Sequence, residues 1–216
     1  IAYTHVSAEG VPLASYVRLT SGSGNRYDPG LAWGGSQLGV PFSSTASEMG
    51  YDVYLTLITT GGGYVAGLNV TNAAGNQSMA SLAWSGTQFG VAWEEGSIVP
   101  GQIGFARVNP NGTKSGTSIA AVDAGNGPRV PSIAWTGTEF AIAWMDQLPV
   151  GDEDLYLTRV SGGGALYGPG VLLSGGVLMS YEPDLAWSGS HGFGVAFESR
   201  PASSDEAFLA LAGFCE

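Results

Sequence analysis

Ser81-Leu82-Ala83-Trp84-Ser85-Gly86-Thr87-Gln88-Phe89-Gly90-Val91-Ala92-Trp93 is a short apolar run, a turn containing glycine, and a second apolar run. Two such runs joined by a few turn residues read as a β-hairpin, because glycine supplies the positive φ that tight turns need. The same arrangement recurs along the chain. Leu31-Ala32-Trp33, Leu82-Ala83-Trp84, Ile133-Ala134-Trp135 and Leu185-Ala186-Trp187 place tryptophans 51, 51 and 52 residues apart. The second runs are Leu38 to Phe42, Phe89 to Trp93, Phe140 to Trp144 and Phe193 to Phe197. Alternation within them puts Phe89, Val91 and Trp93 on one face and Gly90 and Ala92 on the other. A strand apolar on both faces must be covered on both sides, and sheets whose bulky faces meet small faces can stack at about 10 Å.

A third strand follows at the same period. Ile1, Val53, Ile103, Leu155 and Ala207 align at intervals of 52, 50, 52 and 52, so a fifth copy of this strand opens the chain. Ser203 with Glu206 ahead of Ala207 also fits a helix capping box, but the repeat favours a strand there. A weaker fourth apolar segment comes next, as in Val11 to Leu19, Ser118 to Val122 and Ala165 to Leu173. Four short strands in about 50 residues match one propeller blade, and stacked blades bury faces that none covers alone. The expected fold is therefore all-β, a β-propeller or propeller segment of about four blades. It reads as a single repeat domain over 1–216, with approximate units 1–50, 51–100, 101–152 and 153–216. Because the chain begins and ends on a third strand, strand exchange between the termini is one expected closure. A segment of a longer array, with open edges needing a partner, is the other.

The pattern in 81–93, followed by Ile103-Gly104-Phe105-Ala106-Arg107-Val108-Asn109-Pro110-Asn111-Gly112, resembles the repeats of large secreted bacterial β-propeller proteins over nearly the whole chain. That resemblance implies an extracellular or cell-surface location and a role in binding glycans or other proteins. The Ser-x-Asp-x-Gly-x-Thr-Trp box of sialidase-like propellers and the Trp-Asp signature of WD40 repeats are both absent.

Composition narrows function by exclusion. Seven Lys and Arg against 18 Asp and Glu leave a net charge of −11, which disfavours a nucleic-acid backbone as partner. No run approaches the roughly 18 apolar residues of a membrane span, and the opening residues lack a signal peptide's pattern. No Gly-x-Ser-x-Gly elbow occurs, and His5, His191 and Cys215 are too few and too scattered for a zinc site. Cys215 has no cysteine partner within the chain. Carboxylates recur between strands two and three: Glu94 and Glu95, Asp146 with Asp152 and Asp154, and Glu198 with Asp205. Such loops suit calcium, which takes six to eight oxygen ligands, and no other cofactor is expected. The competing reading is that they solubilise loops and discourage edge pairing. Trp33, Trp84, Trp135 and Trp187 are expected between blades, whereas Tyr64, Tyr167 and Tyr181 are expected on a contact surface. With no catalytic constellation in linear view, the expected function is a non-enzymatic extracellular module. It would bind a glycan or protein on its inter-strand loops. The alternative is a structural subunit that self-associates, or joins a larger assembly, through open blade edges.

Overall fold

The computed structural model describes residues 1–13, 15–47, 50–96, 101–122, 127–147, 153–174, 179–200 and 206–212. Every element among them is a strand. The first blade is β3 (Arg26–Tyr27), β4 (Ala32–Trp33), β5 (Leu38–Ser47), β6 (Gly50–Ile58) and β7 (Tyr64–Asn69). Here β3 and β4 are two pieces of one inner strand, both paired with β5. The second blade is β8 (Gln77–Trp84), β9 (Phe89–Glu95), β10 (Gln102–Val108) and β11 (Ile119–Val122). The third is β12 (Pro128–Trp135), β13 (Glu139–Gln147), β14 (Glu153–Ser161) and β15 (Val171–Leu172). The fourth is β16 (Met179–Trp187), β17 (Phe193–Arg200) and β18 (Glu206–Ala212). Each blade is an antiparallel meander, and the β-propeller expectation holds. Repeat alignment also wins over the capping box, since β18 pairs in register with β17 from Glu206↔Ser199 to Ala212↔Phe193. Cys215 lies outside the described residues.

The fifth copy is a half-blade of β1 (Ala2–Tyr3) and β2 (Val17–Arg18). Its membership of the repeat is visible in its turn. Gly10, Gly62, Gly112 and Gly164 occupy one repeat position with φ of 82, 80, 80 and 88°. The bridges Val6↔Pro12, Val108↔Lys114 and Val160↔Leu166 are likewise equivalent. Among the described residues, β1 and β2 pair with no strand of the fourth blade. β1 and β2 make a sheet of their own, docked on the first blade, where the Tyr3 hydroxyl donates to the Thr60 carbonyl at 2.8 Å.

Blades join by large side chains entering small faces. Phe89, Val91 and Trp93 of the second blade pack against Val53, Leu55 and Leu57 of the first. Phe140, Ile142 and Trp144 of the third meet Ala83, Ala92 and Phe105 of the second. Phe193, Val195 and Leu185 of the fourth meet Ala134, Ala141 and Ala143 of the third. The fit needs glycine: a Cβ added to Gly90 would lie 2.4 Å from Phe140 Cε1. Seams also share a hydroxyl. Ser81 Oγ accepts the Ile133 N–H at 3.2 Å, and the equivalent Ser132 Oγ accepts the Leu185 N–H at 2.9 Å while donating to Asp184 at 3.4 Å. These bonds link inner strands of successive blades, so the inner strands line the centre of the assembly.

Trp84, Trp135 and Trp187 pack at the edge of these seams against Phe89, Phe140 and Phe193, with ring centroids 4.6 to 4.7 Å apart. Trp33 does not follow them. It is 53% exposed, because among the described residues no inner strand of a preceding blade covers it. Tyr64 and Tyr167 are exposed as expected, but Tyr181 is partly buried against the third seam.

Candidate active-site cleft

Each inner strand opens with a kink. Asp28, Met79, Val130 and Glu182 stand at intervals of 51, 51 and 52 and have φ of 54, 51, 47 and 48°. In the second, third and fourth blades the register shifts at this point, between Ser78 and Ser81, Arg129 and Ser132, and Tyr181 and Asp184. One extra residue is therefore accommodated as a bulge, a device that re-aims side chains at the rim of a sheet. In the first blade the same place breaks the strand into β3 and β4, at Asp28-Pro29-Gly30. The inner-strand starts lie beside the ends of the second strands in the ladder, through Ser78↔Glu94 and Tyr27↔Ser43. The kinks and the acidic segments thus share one rim.

At that rim a cleft of about 420 Å³ lies between the first and second blades, lined by Tyr27, Asp28, Tyr51, Asn76, Met79 and Glu94 among others. Two carboxylates from different repeats face one space. Burial pushes the Glu94 carboxyl above the usual carboxylate range, and the charge of Asp28 adds to the rise. The Arg129 guanidinium and a hydrogen bond from the Val130 backbone act in the opposite direction. Ser43 Oγ reaches Asp28 Oδ2 at 3.5 Å. The rings of Tyr27 and Tyr51 stand 6.0 Å apart at 55° along one wall. A half-buried carboxyl with raised proton affinity, sharing a cleft with a second carboxyl, supplies the two groups of an acid–base pair, and tyrosine rings with amide and hydroxyl groups suit a polyhydroxylated ligand.

The other acidic residues are spread over separate blades and are engaged in the fold. Glu95 accepts from Gln77 Nε2 and from Trp93 Nε1 at 3.2 Å. Asp146 Oδ1 accepts the Gly127 N–H at 2.9 Å and stands opposite Asp154, which accepts from Ser174 Oγ at 3.4 Å. Glu198 lies on β17 opposite Tyr181, in the fourth blade. Asp152 and Asp205 lie outside the described residues. Among the described residues, no group of three or more His, Cys, Asp or Glu side chains is placed to hold a metal ion. No helix among them is long and apolar enough to cross a membrane.

Of the acidic residues singled out in the sequence, the cleft contains Glu94 alone. Asp28, Tyr27, Tyr51 and Asn76 were missed. A signal for Asp28 existed in the repeat register: five places before each tryptophan stand Asp28, Met79, Val130 and Glu182, so a charge enters an otherwise apolar position twice.

No protein-family model matches the sequence. No curated protein matches it either. Solved structures do. An exo-1,5-α-L-arabinanase from a bovine ruminal metagenomic library aligns over 100% of this chain and 89% of its own, with a TM-score of 0.58 and 10% identity. A thermostable family-43 glycoside hydrolase aligns over 88% and 72%, with a TM-score of 0.60 and 10% identity. An endo-arabinase from Bacteroides thetaiotaomicron aligns over 87% and 75%, with a TM-score of 0.55 and 11% identity. At such identity the likeness is one of fold. It nonetheless corrects the expectation of a non-enzymatic binding or assembly module, and of a purely structural subunit, because these neighbours are glycoside hydrolases. That expectation read each acidic segment within its own repeat. Asp28 and Glu94, 66 positions apart in sequence, meet only when blades stack.

Proposed function

We propose that the protein is a glycoside hydrolase acting on an arabinan-type glycan, with the cleft between the first and second blades as its active site. The observation that carries this reading is the convergence of Asp28 and Glu94 in one cavity, with burial raising the proton affinity of Glu94. Glycoside hydrolysis uses two carboxyl groups flanking the scissile bond, one keeping a proton for the leaving oxygen. In this assignment Glu94 donates its proton to the departing glycosidic oxygen. The Asp28 carboxylate accepts a proton from the water that attacks the anomeric carbon. The C–O bond to the leaving sugar breaks as the bond to water forms, and proton exchange with solvent restores both carboxyl groups. A hydrogen bond from the Val130 backbone positions Glu94, the Arg129 charge favours its ionised form once the proton is given up, and Tyr27 and Tyr51 offer ring faces to the sugar. A polymeric glycan as substrate supports action outside the cell.

The test is release of reducing sugar from debranched arabinan, and of chromophore from an aryl α-L-arabinofuranoside, by the purified chain. Glu94→Gln and Asp28→Asn are each expected to lower turnover by about 10²-fold or more. Wild-type protein indistinguishable from buffer on both substrates would remove the assignment.

A further inference from the structure

We infer that Asn76 is a positioning residue of the cleft: its hydrogen bond across the seam holds Tyr51, and with it the aromatic wall, at a fixed reach from the acid-bearing end of β9. Its role rests on the hydrolase reading and concerns how substrate is held. The ladder between β5 and β6 is irregular where the wall begins. Asp52 pairs with Ser44 and Gly50 with Ser47, so the register shifts at this point and passes over Tyr51. Such a bulge turns a residue away from its own sheet. The Tyr51 N–H instead donates to Asn76 Oδ1, at 3.2 Å, immediately before the inner strand of the next blade.

The same residue fixes the opposite lip. The Asn76 carbonyl accepts the Gly96 N–H at 2.8 Å, just beyond Glu94 and Glu95. Its main chain therefore belongs to the strand end that carries the proposed acid, while its side chain reaches the turn that carries the wall. Close approach of these two parts is built into the turn. Gly50 has φ of 121°, and a Cβ added there would clash with the Gly75 carbonyl oxygen and stand 2.8 Å from Asn76 Oδ1. A larger residue would push the turn off its clamp. Tyr51 in turn leans on Tyr27, with ring centroids 6.0 Å apart, and Tyr27 is 44% exposed. The pair thus offers open ring surface to the C–H face of a sugar, at a distance from Glu94 that Asn76 sets. A wall ordered beforehand spares the ligand the cost of ordering it. Loosening it should cost affinity and leave the chemical step alone, because other bonds hold the carboxyls: the Val130 backbone for Glu94, and Ser43 Oγ for Asp28 at 3.5 Å.

The test compares the wild-type chain with Asn76→Ala, Tyr51→Ala and the double variant on debranched arabinan. Asn76→Ala should raise KM by about 3–10-fold and leave kcat and its pH profile in place, the signature of lost uniform binding. Because Asn76 acts through Tyr51, its replacement should add less than about twofold once Tyr51 is already alanine. Full additivity would mean that Asn76 meets the sugar directly, and a change confined to kcat or to the melting temperature would mean that the bond serves something other than binding; each overturns the proposal. Hydrogen exchange judges the clamp without substrate. The Tyr51 amide should exchange about tenfold or more faster in Asn76→Ala, while that of Leu55 on the same strand keeps its rate. Equal Tyr51 exchange in the two chains overturns the proposal whatever the kinetics. Absence of turnover in the wild type would remove the hydrolase reading, and the exchange rates would still decide the clamp.

Discussion

Replacing Gly90 with alanine tests whether the seams are close-packed or merely apolar. Gly90 faces the Phe140 ring, and its added Cβ would stand 2.4, 2.7 and 2.9 Å from Cε1, Cδ1 and Cζ. All three distances are shorter than real Cβ contacts, so something must move. Phe140 has little freedom: it is fully buried, with the Trp135 ring at 4.6 Å and the Phe105 ring at 5.3 Å. Overpacking of a rigid core site costs about 1–3 kcal/mol. For a chain of this length each kcal/mol lowers the melting temperature by about 2–4 °C, so the expected loss is about 2–12 °C. Differential scanning calorimetry and urea unfolding of Gly90→Ala measure it. Gly61→Ala is the control, because only Thr59 Oγ1, 4.0 Å away, lies near its added Cβ, and its effect should stay within about 0.5 kcal/mol. The pair Gly90→Ala with Phe140→Leu should be less damaging than the sum of the two single changes, since the smaller side chain vacates the contested volume. An unchanged or raised melting temperature for Gly90→Ala, or strict additivity in the pair, would refute the interdigitation argument.

Other outcomes follow from the seams and the cleft. Ser132→Ala should cost about 1–3 kcal/mol in urea unfolding, because the Leu185 N–H loses its acceptor in a buried seam. Asp52→Ala should cost at least about 1.5–3 kcal/mol: this fully buried carboxylate accepts from Thr71 at 2.8 Å, Asn69 at 3.0 Å and the Ala73 N–H at 3.2 Å. Glu94 imposes a pH dependence of known sign. Its proton affinity is raised in the folded state, so the folded chain holds the proton more tightly than the unfolded chain, and stability falls as pH rises from the ordinary Glu value through the folded one. Glu94→Gln should remove that fall, read as a smaller difference in unfolding midpoint between acid and neutral pH.

The repeat itself was legible because packing imposes it locally. A tryptophan at 33, 84, 135 and 187, followed by a Gly turn and an alternating strand, reports a two-sided burial that only stacked sheets provide. The cleft was not legible for the opposite reason. Asp28 reads as a turn residue before Pro29-Gly30, and Glu94 reads as a loop carboxylate after Trp93. Their meeting depends on which blade faces which, and on bulges that shift the register by a residue, neither of which has a local pattern. Trp33 makes the same point. Its motif matches that of Trp84, but its burial depends on a neighbour outside its own repeat.

The four kinked inner-strand starts have a consequence for how much stability this architecture forgoes. A side chain other than glycine held in the left-handed region carries a conformational penalty of about 1–3 kcal/mol, and a β-branched residue such as Val130 is among the least suited to it. That penalty falls on one rim. Met79, 42% exposed, therefore offers a thermostabilisation route that leaves the core untouched: Met79→Asn would relax the backbone. Asp28, the same kind of position in the cleft, is the one place where relief of strain and loss of a carboxylate proposed to act on substrate would arrive together.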